Sequence, residues 1–290
     1  MYDDIVELVD PQNKSLALKV QTFADGSYFA DLKKYNYFSM ILVIKGTGTL
    51  ISDMSTYNIA DNSLLCFSLY QPFYIKCDGE FTGMMVNFHP DFFCLHKHRN
   101  EVSCNGVLFN NNYESPVISL TRDETQALLT IINQLKCEIQ RPGDTQLELL
   151  ISYLKILLIN ASRIKIERRQ ANDGLTDKSP IVLNNLRQAI EDHFKSFHGP
   201  GDYAKMLNIS TAALNRLSKK HFNKTLSNLI SDRIIIEAKR QLYLTSQPIK
   251  SIAYELGFND EFYFSRFFKN QVAISPQFFR DTVGFDKANA

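Results

Sequence analysis

The segment 249–280, IKSIAYELGFNDEFYFSRFFKNQVAISPQFFR, decides the fold of the C-terminal part of this 290-residue chain. It begins with a short helical period that contains the small residue Ala253, followed by a turn. A second helical period starts after Asn259, which is the predicted N-cap, and it carries Arg266 and Lys269 on one side. A short helix, a tight turn and a second helix in this order indicate a helix–turn–helix unit.

The segment 203–220, YAKMLNISTAALNRLSKK, has the same layout. Ala204 is its small residue, Ser210 is its predicted N-cap, and Arg216 and Lys219 follow on its second helix. The alanine and the arginine are 12 residues apart in this segment and 13 residues apart in the other. We therefore predict two helix–turn–helix units, each with a small residue where its two helices cross.

An amphipathic helix is predicted between the two units, over residues 226–244. Its apolar face is formed by Leu226, Leu229, Ile230, Ile234, Ala238 and Leu242. A helix of this length measures about 28 Å. It would hold the second helices of the two units about 34 Å apart, which is one turn of duplex DNA.

The charge of the chain is unevenly distributed. The whole chain has 32 basic and 31 acidic residues, so its net charge indicates no partner. Residues 203–280 have 12 basic and 5 acidic residues, whereas residues 1–170 have 16 basic and 19 acidic ones. One compact basic module in a nearly neutral protein favours a polyanionic partner for that module alone.

Short runs rich in aromatic and β-branched residues occupy residues 16–119, and Gly, Asp, Asn or Pro separates them about every ten residues. The predicted strands are 38–44, 48–51, 63–67, 73–76 and 82–88. Residues 46–48, Gly-Thr-Gly, predict a tight turn between two strands. This pattern is typical of an antiparallel barrel or sandwich.

Residues 121–168 change to a helical period that is interrupted at 141–144, Arg-Pro-Gly-Asp, and they predict a helical hairpin. Its apolar stripes include Leu154 and Leu157. Two interpretations stay open. Both stripes pack on the β domain, or part of them pairs with a second copy of the chain, because two long helices have more apolar surface than one side of a small barrel covers.

The predicted fold class is α+β with two domains, an N-terminal antiparallel β-barrel with a helical hairpin and a C-terminal all-α double helix–turn–helix domain. The polar segment between them predicts a linker, and Ser179-Pro180 marks the start of the C-terminal helices as Ser275-Pro276 marks the last one. The predicted boundaries are 1–120 for the β domain, 121–168 for the hairpin, 169–179 for the linker and 180–290 for the helical domain.

The segment 249–280 closely resembles the signature of the AraC/XylS family of bacterial transcription regulators, and residues 184–284 resemble that family's DNA-binding domain. The β segment resembles the family's cupin-type sensory domain more loosely, and the hairpin resembles its dimerisation helices. The resemblance implies a homodimeric regulator whose partners are double-stranded DNA, a small organic effector and RNA polymerase. We expect an activator, although the residues do not distinguish raising transcription from lowering it.

The resemblance also implies which side chains meet DNA. The base-facing positions are Ala212, Asn215 and Arg216 on the first recognition helix and Glu261, Phe262, Ser265 and Arg266 on the second. The positions near phosphates are Lys219, Lys220 and Lys269. An arginine can form two hydrogen bonds with one guanine, whereas phosphate contacts give affinity without sequence information.

The chain departs from the family pattern at several of these positions. Because Ala212 is small, direct readout by the first helix rests on Asn215 and Arg216. Phe262 either contacts a thymine methyl group or folds back into the core. Glu261 either accepts a hydrogen bond from a cytosine amino group or complements the positive helix N-terminus.

Two residues stand where the family has glycine after each recognition helix, Asn223 and Ala273. Asparagine tolerates the left-handed conformation that glycine adopts there, whereas alanine does so poorly. The aromatic residues of this region are predicted to be core rather than a base-stacking platform. They are Tyr263, Phe264, Phe267, Phe268, Phe278 and Phe279.

No metal, cofactor or catalytic site is predicted. His96 and His98 form a His-x-His pair, but they lie in a charged run after the last long strand, and the turn at 46–48 has no histidine. The chain has no Ser-His-Asp order, no phosphate-binding loop and no Gly-x-Gly-x-x-Gly motif. The five scattered cysteines and the acidic N-terminus without an apolar segment predict a cytoplasmic protein that does not enter a membrane.

Aromatic side chains of the β domain are candidates to line an effector cavity, or alternatively to fill the core completely. They are Phe38, Tyr57, Phe67, Phe73, Tyr74 and Phe88. A second hypothesis for the whole chain is a metal-free cupin that binds a small molecule as its main task. A metal-dependent cupin enzyme is a third, which the missing ligand set disfavours, and the basic charge of residues 203–280 favours the regulator.

Overall fold

The computed structural model describes residues 4–10, 16–53, 55–95, 98, 106–170 and 181–283, together with the backbone of 171–175. The chain divides into two compact units, Met1–Asn111 with Ser115–Ala171 and Asn112–Glu114 with Asn172–Ala290. The first is rich in antiparallel sheet and the second is helical, which confirms the predicted fold class. No helix within the described ranges combines the length and the apolar character needed to cross a membrane.

The first unit contains two antiparallel sheets. Its strands are β1 (Ile5–Val9), β2 (Leu16–Phe23), β3 (Phe38–Lys45), β4 (Gly48–Ser52), β5 (Ser55–Ile59), β6 (Ser63–Phe67), β7 (Phe73–Cys77), β8 (Thr82–Phe88) and β9 (Val117–Ser119). The larger sheet has the order β1-β2-β8-β3-β6-β9 and the smaller one β5-β4-β7. The five predicted strands are confirmed to within one residue, and β1, β2, β5 and β9 were not predicted individually.

The predicted turn at 46–48 joins two strands, but it does not close a hairpin. Strand β3 pairs with β6 and β8, whereas β4 pairs with β5 and β7, so the chain passes from one sheet to the other at this point. Gly46 has a φ of +137°, and a Cβ atom on Gly48 would lie 2.5 Å from the carbonyl oxygen of Lys76. Glycine is therefore required by the close approach of the backbones as well as by the turn.

The helical hairpin consists of α1 (Arg122–Ile139) and α2 (Gln146–Leu175). Thr121 and Glu124 form a reciprocal capping box at the start of α1. Helix α2 continues through Leu175, so residues 169–175 of the predicted linker are helical, and the division between the two compact units falls within them, after Ala171. These residues are polar, but many of them are good helix formers, and polarity alone does not end a helix. Residues 176–180, including the predicted cap Ser179-Pro180, lie outside the described residues.

The apolar core of the first unit includes Ile41, Leu65 and Met85 from the larger sheet and Leu50 and Ile75 from the smaller one. On the larger sheet, α1 packs against β1, β2, β3 and β8. Strands β3 and β8 are consequently buried along almost their whole length. Burial of both faces explains why their sequences are continuous apolar runs rather than alternating ones.

Helix α2 buries most of its apolar stripe within the chain. Leu154 and Leu157 have no exposed surface, so the hypothesis that these two residues meet a second copy is wrong. The apolar stripe that contains Leu154 and Leu157 therefore belongs to the core of the single chain. Among the side chains of α2 that the structure describes, the large apolar ones left exposed are Leu147, Leu149, Ile156 and Ile166.

The second unit consists of α3 (Ile181–His193), α4 (Pro200–Met206), α5 (Thr211–Phe222), α6 (Leu226–Leu244), α7 (Ile249–Glu255), α8 (Glu261–Val272) and α9 (Pro276–Val283). Helix α6 packs against each of the other six. The six residues of its predicted apolar face are all buried. Ser275 caps α9 as predicted, because its Oγ accepts a hydrogen bond from the backbone N–H of Phe278 at 3.1 Å.

Candidate nucleic-acid interface

The two helix–turn–helix units, α4–α5 and α7–α8, have the same turn. In the first, the N–H of Ile209 donates a hydrogen bond to the carbonyl of Ala204, and in the second, the N–H of Phe258 donates to Ala253, both at 3.0 Å. Both alanines are buried where the helices meet. The structure thus confirms the predicted duplication down to an equivalent backbone hydrogen bond.

The turn residue that precedes this hydrogen bond is left-handed in both units. Asn208 has a φ of 53° and Gly257 a φ of 83°. At Gly257 a Cβ atom would lie 1.8 Å from the carbonyl oxygen of Lys195. Only glycine fits at Gly257, whereas Asn208 shows that the first unit tolerates a side chain at the matching position.

The N-cap of the first recognition helix is Ser210, as predicted, with its Oγ accepting from the N–H of Ala213 at 3.3 Å. The N-cap of the second is Asp260, so the prediction of Asn259 is wrong. Asp260 accepts hydrogen bonds from the N–H groups of Phe262 and Tyr263 at 3.2 and 2.9 Å. A carboxylate satisfies two N–H groups at once and complements the positive end of the helix.

The first recognition helix, α5, exposes Ala212, Arg216, Lys219 and Lys220. Asn215 is half-buried, and its Oδ1 accepts a hydrogen bond from the N–H of Leu226 at 3.0 Å. This side chain therefore caps the next helix, and only its amino group remains for a base. Direct readout by α5 rests mainly on Arg216.

The second recognition helix, α8, exposes Phe262, Arg266 and Lys269, while Glu261 and Ser265 are half-buried. Phe262 is 72% exposed, which excludes the alternative that it folds back into the core. An exposed phenylalanine four residues before an arginine lies on the same side of the helix.

The core prediction is confirmed for Phe264, Phe268 and Phe279, which are fully buried. It is wrong for Tyr263 and Phe278, which are 56% and 51% exposed. Tyr263 lies about 60° around the helix from Arg266, on the exposed side, and its angular position would have shown this. Tyr263 was therefore missed as a candidate DNA contact.

Cations on the recognition helices form no salt bridge within the described part of the chain, whereas three cations elsewhere in the second compact unit do. Lys224 pairs with Asp232 at 2.6 Å, Arg240 pairs with Glu237 at 2.9 Å, and Arg233 pairs with a glutamate of α3 at 2.7 Å. Among the described residues, no acidic partner is found for the recognition-helix cations, which are Arg216, Lys219, Lys220, Arg266 and Lys269. Their charge is thus available to a polyanion.

The six aromatic residues proposed for an effector cavity do not lie together. Phe67 and Phe73 stack in the core with their ring centroids 3.8 Å apart, and Tyr57 packs against that core. Phe38 and Phe88 pack on each other outside that cluster, at 5.2 Å. The final member, Tyr74, is half-buried. Alternation along the strands separates this set, so it does not form one cavity lining.

Comparison with known proteins gives matches to both units. Residues 203–282 match a family model described as a helix-turn-helix domain. The arabinose operon regulatory protein of Salmonella typhimurium is 30% identical over 131 residues, 44% of this chain and 47% of that protein. The HTH-type transcriptional activator RhaS of an Enterobacter species is 24% identical over 247 residues, 84% of each chain. The solved structure of ToxT from Vibrio cholerae has 16% identity and a TM-score of 0.41, covering 92% of this chain and 98% of that one.

Two helix–turn–helix units with exposed cations on both recognition helices are features by which DNA-binding domains are recognised. These matches agree with the resemblance that the sequence motif indicates: residues 203–282 match a helix-turn-helix domain, and the chain is similar to proteins named as transcription regulators. It spans about half the length of several curated relatives that it matches.

Proposed function

We propose that the chain binds double-stranded DNA with both recognition helices, each in a major groove on the same face of the duplex. The observation that carries the proposal is the repeated geometry of the two units, with the same turn hydrogen bond and exposed cations on α5 and α8. Helix α6 packs against both helix–turn–helix units. It has 19 residues and is about 28 Å long, which suits recognition helices in major grooves about 34 Å apart.

The side chains divide into two classes by what they contact. Arg216 and Arg266 bind guanine edges, and Phe262 provides an apolar surface for a thymine methyl group. Phosphates are contacted by the three lysines Lys219, Lys220 and Lys269. Ala212, Asn215, Glu261 and Ser265 contribute smaller contacts to neighbouring bases.

The first experiment selects binding sites from random duplex DNA with the full chain and then measures affinity by fluorescence anisotropy. Arg266→Ala should lose about 1–3 kcal/mol on the selected site and relax its specificity at one base pair. Lys269→Ala should weaken binding to selected and random DNA alike and reduce the salt dependence. The control is Lys195→Ala, which removes an exposed cation that lies outside both helix–turn–helix units. If Arg266→Ala lost the same affinity for the selected site and for random DNA, Arg266 would be a phosphate contact and not a base contact.

The protein acts as a homodimer through α2. Leu149 and Ile156 are exposed and lie seven positions apart, so they share one face of this helix. A second copy would cover them, and two linked copies bind a two-part operator more tightly than one. In sedimentation the full chain should be a dimer and Ile156→Asp a monomer, while Ile166→Asp, about 80° around the helix, stays dimeric. A monomeric wild-type chain would contradict the proposal.

A small organic effector that binds to the first compact unit controls DNA binding. The regulator acts in the cytoplasm. Several similar proteins are named transcriptional activators, and by that likeness this chain raises transcription by contact with RNA polymerase. Transcription with purified polymerase from a promoter that carries the selected site tests the direction. Lower transcript levels with the regulator than without it would reverse this inference.

A further inference from the structure

The loop 194–199 joins α3 to α4 and leads into the first helix–turn–helix unit. Its last residue, Gly199, is the N-cap of α4, and Pro200 is the first helical residue. The hydroxyl of Tyr203 on α4 donates a hydrogen bond to the carbonyl of Phe197 at 2.9 Å. Tyr203 is fully buried, and its ring packs edge-on against the ring of Phe197, with the centroids 6.3 Å apart. The loop is therefore fixed to α4, which packs against the recognition helix α5.

The same loop contacts the turn of the second helix–turn–helix unit. The side chain of His198 is half-buried, and its Nε2 lies 2.8 Å from the carbonyl oxygen of Leu256, the C-cap of α7. A carbonyl oxygen only accepts hydrogen bonds, so Nε2 is a protonated ring nitrogen and donates. Carbonyl groups at the end of a helix have no partner within that helix. The histidine therefore supplies a donor from outside to the end of α7.

His198 also reaches the second recognition helix through one aromatic residue. Its ring packs against the ring of Phe258, with the centroids 4.6 Å apart. Phe258 is buried and contacts three aromatic rings of α8, at centroid distances from 5.2 to 5.8 Å. These rings belong to Tyr263, Phe264 and Phe267. The position of α8 is thus coupled to the position of His198 through the ring of Phe258.

The backbones of the loop and of the second turn are in direct contact as well. A Cβ atom on Gly257 would lie 1.8 Å from the carbonyl oxygen of Lys195 and 3.2 Å from the Nε2 of His198. The matching residue of the first unit is Asn208, which has a side chain and the same left-handed conformation. Both turns have the same internal hydrogen bond. Glycine is therefore required in the second unit because the loop packs on the turn, and not because of the turn itself.

We propose that His198 is a positioning residue that fixes the two recognition helices at one separation, so that the chain selects DNA by the distance between the base pairs that α5 and α8 read. Helix α6 is one connection between the two helix–turn–helix units, and the loop with His198 is a second one. Two connections restrict a hinge motion that one helix alone would permit. Pre-organised recognition helices lose less entropy when they bind. This inference rests on the proposed binding of DNA by both recognition helices.

The test measures the affinity of the full chain for three duplexes by fluorescence anisotropy. The first duplex contains one copy of the selected site, and the specificity changes of Arg216→Ala and Arg266→Ala locate the base pairs that α5 and α8 read. The other two have one base pair inserted or deleted between those positions, which moves one groove by about 3.4 Å and turns it by about 34°. The wild-type chain should lose at least about tenfold in affinity on both, similar to the cost of one mismatched base pair.

His198→Ala should bind the unaltered duplex more weakly, and the ratio of its affinities for the unaltered and altered duplexes should be at least about threefold smaller than that of the wild type. His198→Gln has an amide that can donate a hydrogen bond in place of Nε2, so it should restore most of this ratio. The control is Ser196→Ala, at an exposed position of the same loop, which should leave the ratio unchanged. Partial unfolding would lower the active fraction equally for all three duplexes, so the ratio does not respond to a purely structural loss.

Two outcomes would contradict the inference, and they differ in what they imply for the proposed function. If His198→Ala lowered the affinity for all three duplexes by the same factor, His198 would stabilise the fold without setting the separation, and the proposed function would stand. If the wild-type chain bound all three duplexes equally well, the two recognition helices would not dock together, and the proposed function would fail together with the role of His198.

Discussion

Ala273 offers a direct test of stored backbone strain, because its conformation is unfavourable for any residue with a Cβ atom. It follows the second recognition helix with φ 61° and ψ 12°, the left-handed conformation that the resemblance predicts. Its N–H closes the helix by donating to the carbonyl of Lys269 at 2.7 Å. The side chain is exposed, so Ala273→Gly removes no packing and keeps the backbone hydrogen bond.

Two opposing effects set the expected magnitude. Relief of the left-handed strain gains about 1–2 kcal/mol. The greater freedom of glycine in the unfolded chain costs about 0.4–1 kcal/mol. The net increase in the free energy of unfolding is about 0.5–1 kcal/mol. With a denaturant slope of about 2 kcal/mol per molar urea, the midpoint should rise by about 0.3–0.5 M.

The assay is urea unfolding of the full chain, with pulsed hydrogen exchange of peptides from residues 181–283 so that the second unit is scored separately. The chain has no tryptophan, so intrinsic tryptophan fluorescence does not report on unfolding. Ala212→Gly is the matched control, because Ala212 is exposed and lies within helix α5. The control should lower the midpoint, since glycine costs up to about 1 kcal/mol in a helix. A lower midpoint for Ala273→Gly as well would refute the strain argument.

Three further substitutions test the scaffold of the second unit. Gly257→Ala should destabilise this unit by more than about 2 kcal/mol, because a Cβ atom would clash with the backbone of Lys195, and unchanged thermal unfolding would contradict the stated geometry. Asp260→Ala should cost about 1 kcal/mol through loss of the N-cap and weaken DNA binding, whereas Asp260→Asn should retain most of the stability in the same melts. Burial opposes ionisation of Glu237, but its interactions with Arg240, Arg233 and Gln241 together outweigh burial and lower its pKa. Glu237→Gln should therefore reduce the free energy of unfolding near neutral pH. The difference in this free energy between the variant and the wild type should shrink as pH falls below the ordinary glutamate pKa of 4.5. A difference that does not change with pH would contradict the lowered pKa of Glu237.

The sequence determined the helix–turn–helix units because their signals are local. Helical period, small crossing residues and caps act within about one or two turns of helix, so Ala204, Ala253, Ser210 and the bounds of α6 were predictable from nearby residues. The left-handed residue at Ala273 followed from the resemblance alone, since no rule of propensity would place alanine there. The cap at Asp260 was missed by one position because Asn259 and Asp260 are both good caps.

Tertiary structure decided the contacts between residues that are distant in sequence. The Oδ1 of Asn215 accepts a hydrogen bond from the N–H of Leu226, the first residue of the next helix. Only the amino group of the Asn215 side chain then remains to bind a base. The chain crosses between sheets at Gly46, because pairing partners are chosen by the whole unit and not by the turn. Asn87, Lys19 and Ser39 are brought into one row only by strand register. A period of two residues specifies which side chains share a face of one strand, but the pairing of strands far apart in the chain is fixed by the burial of the assembled core.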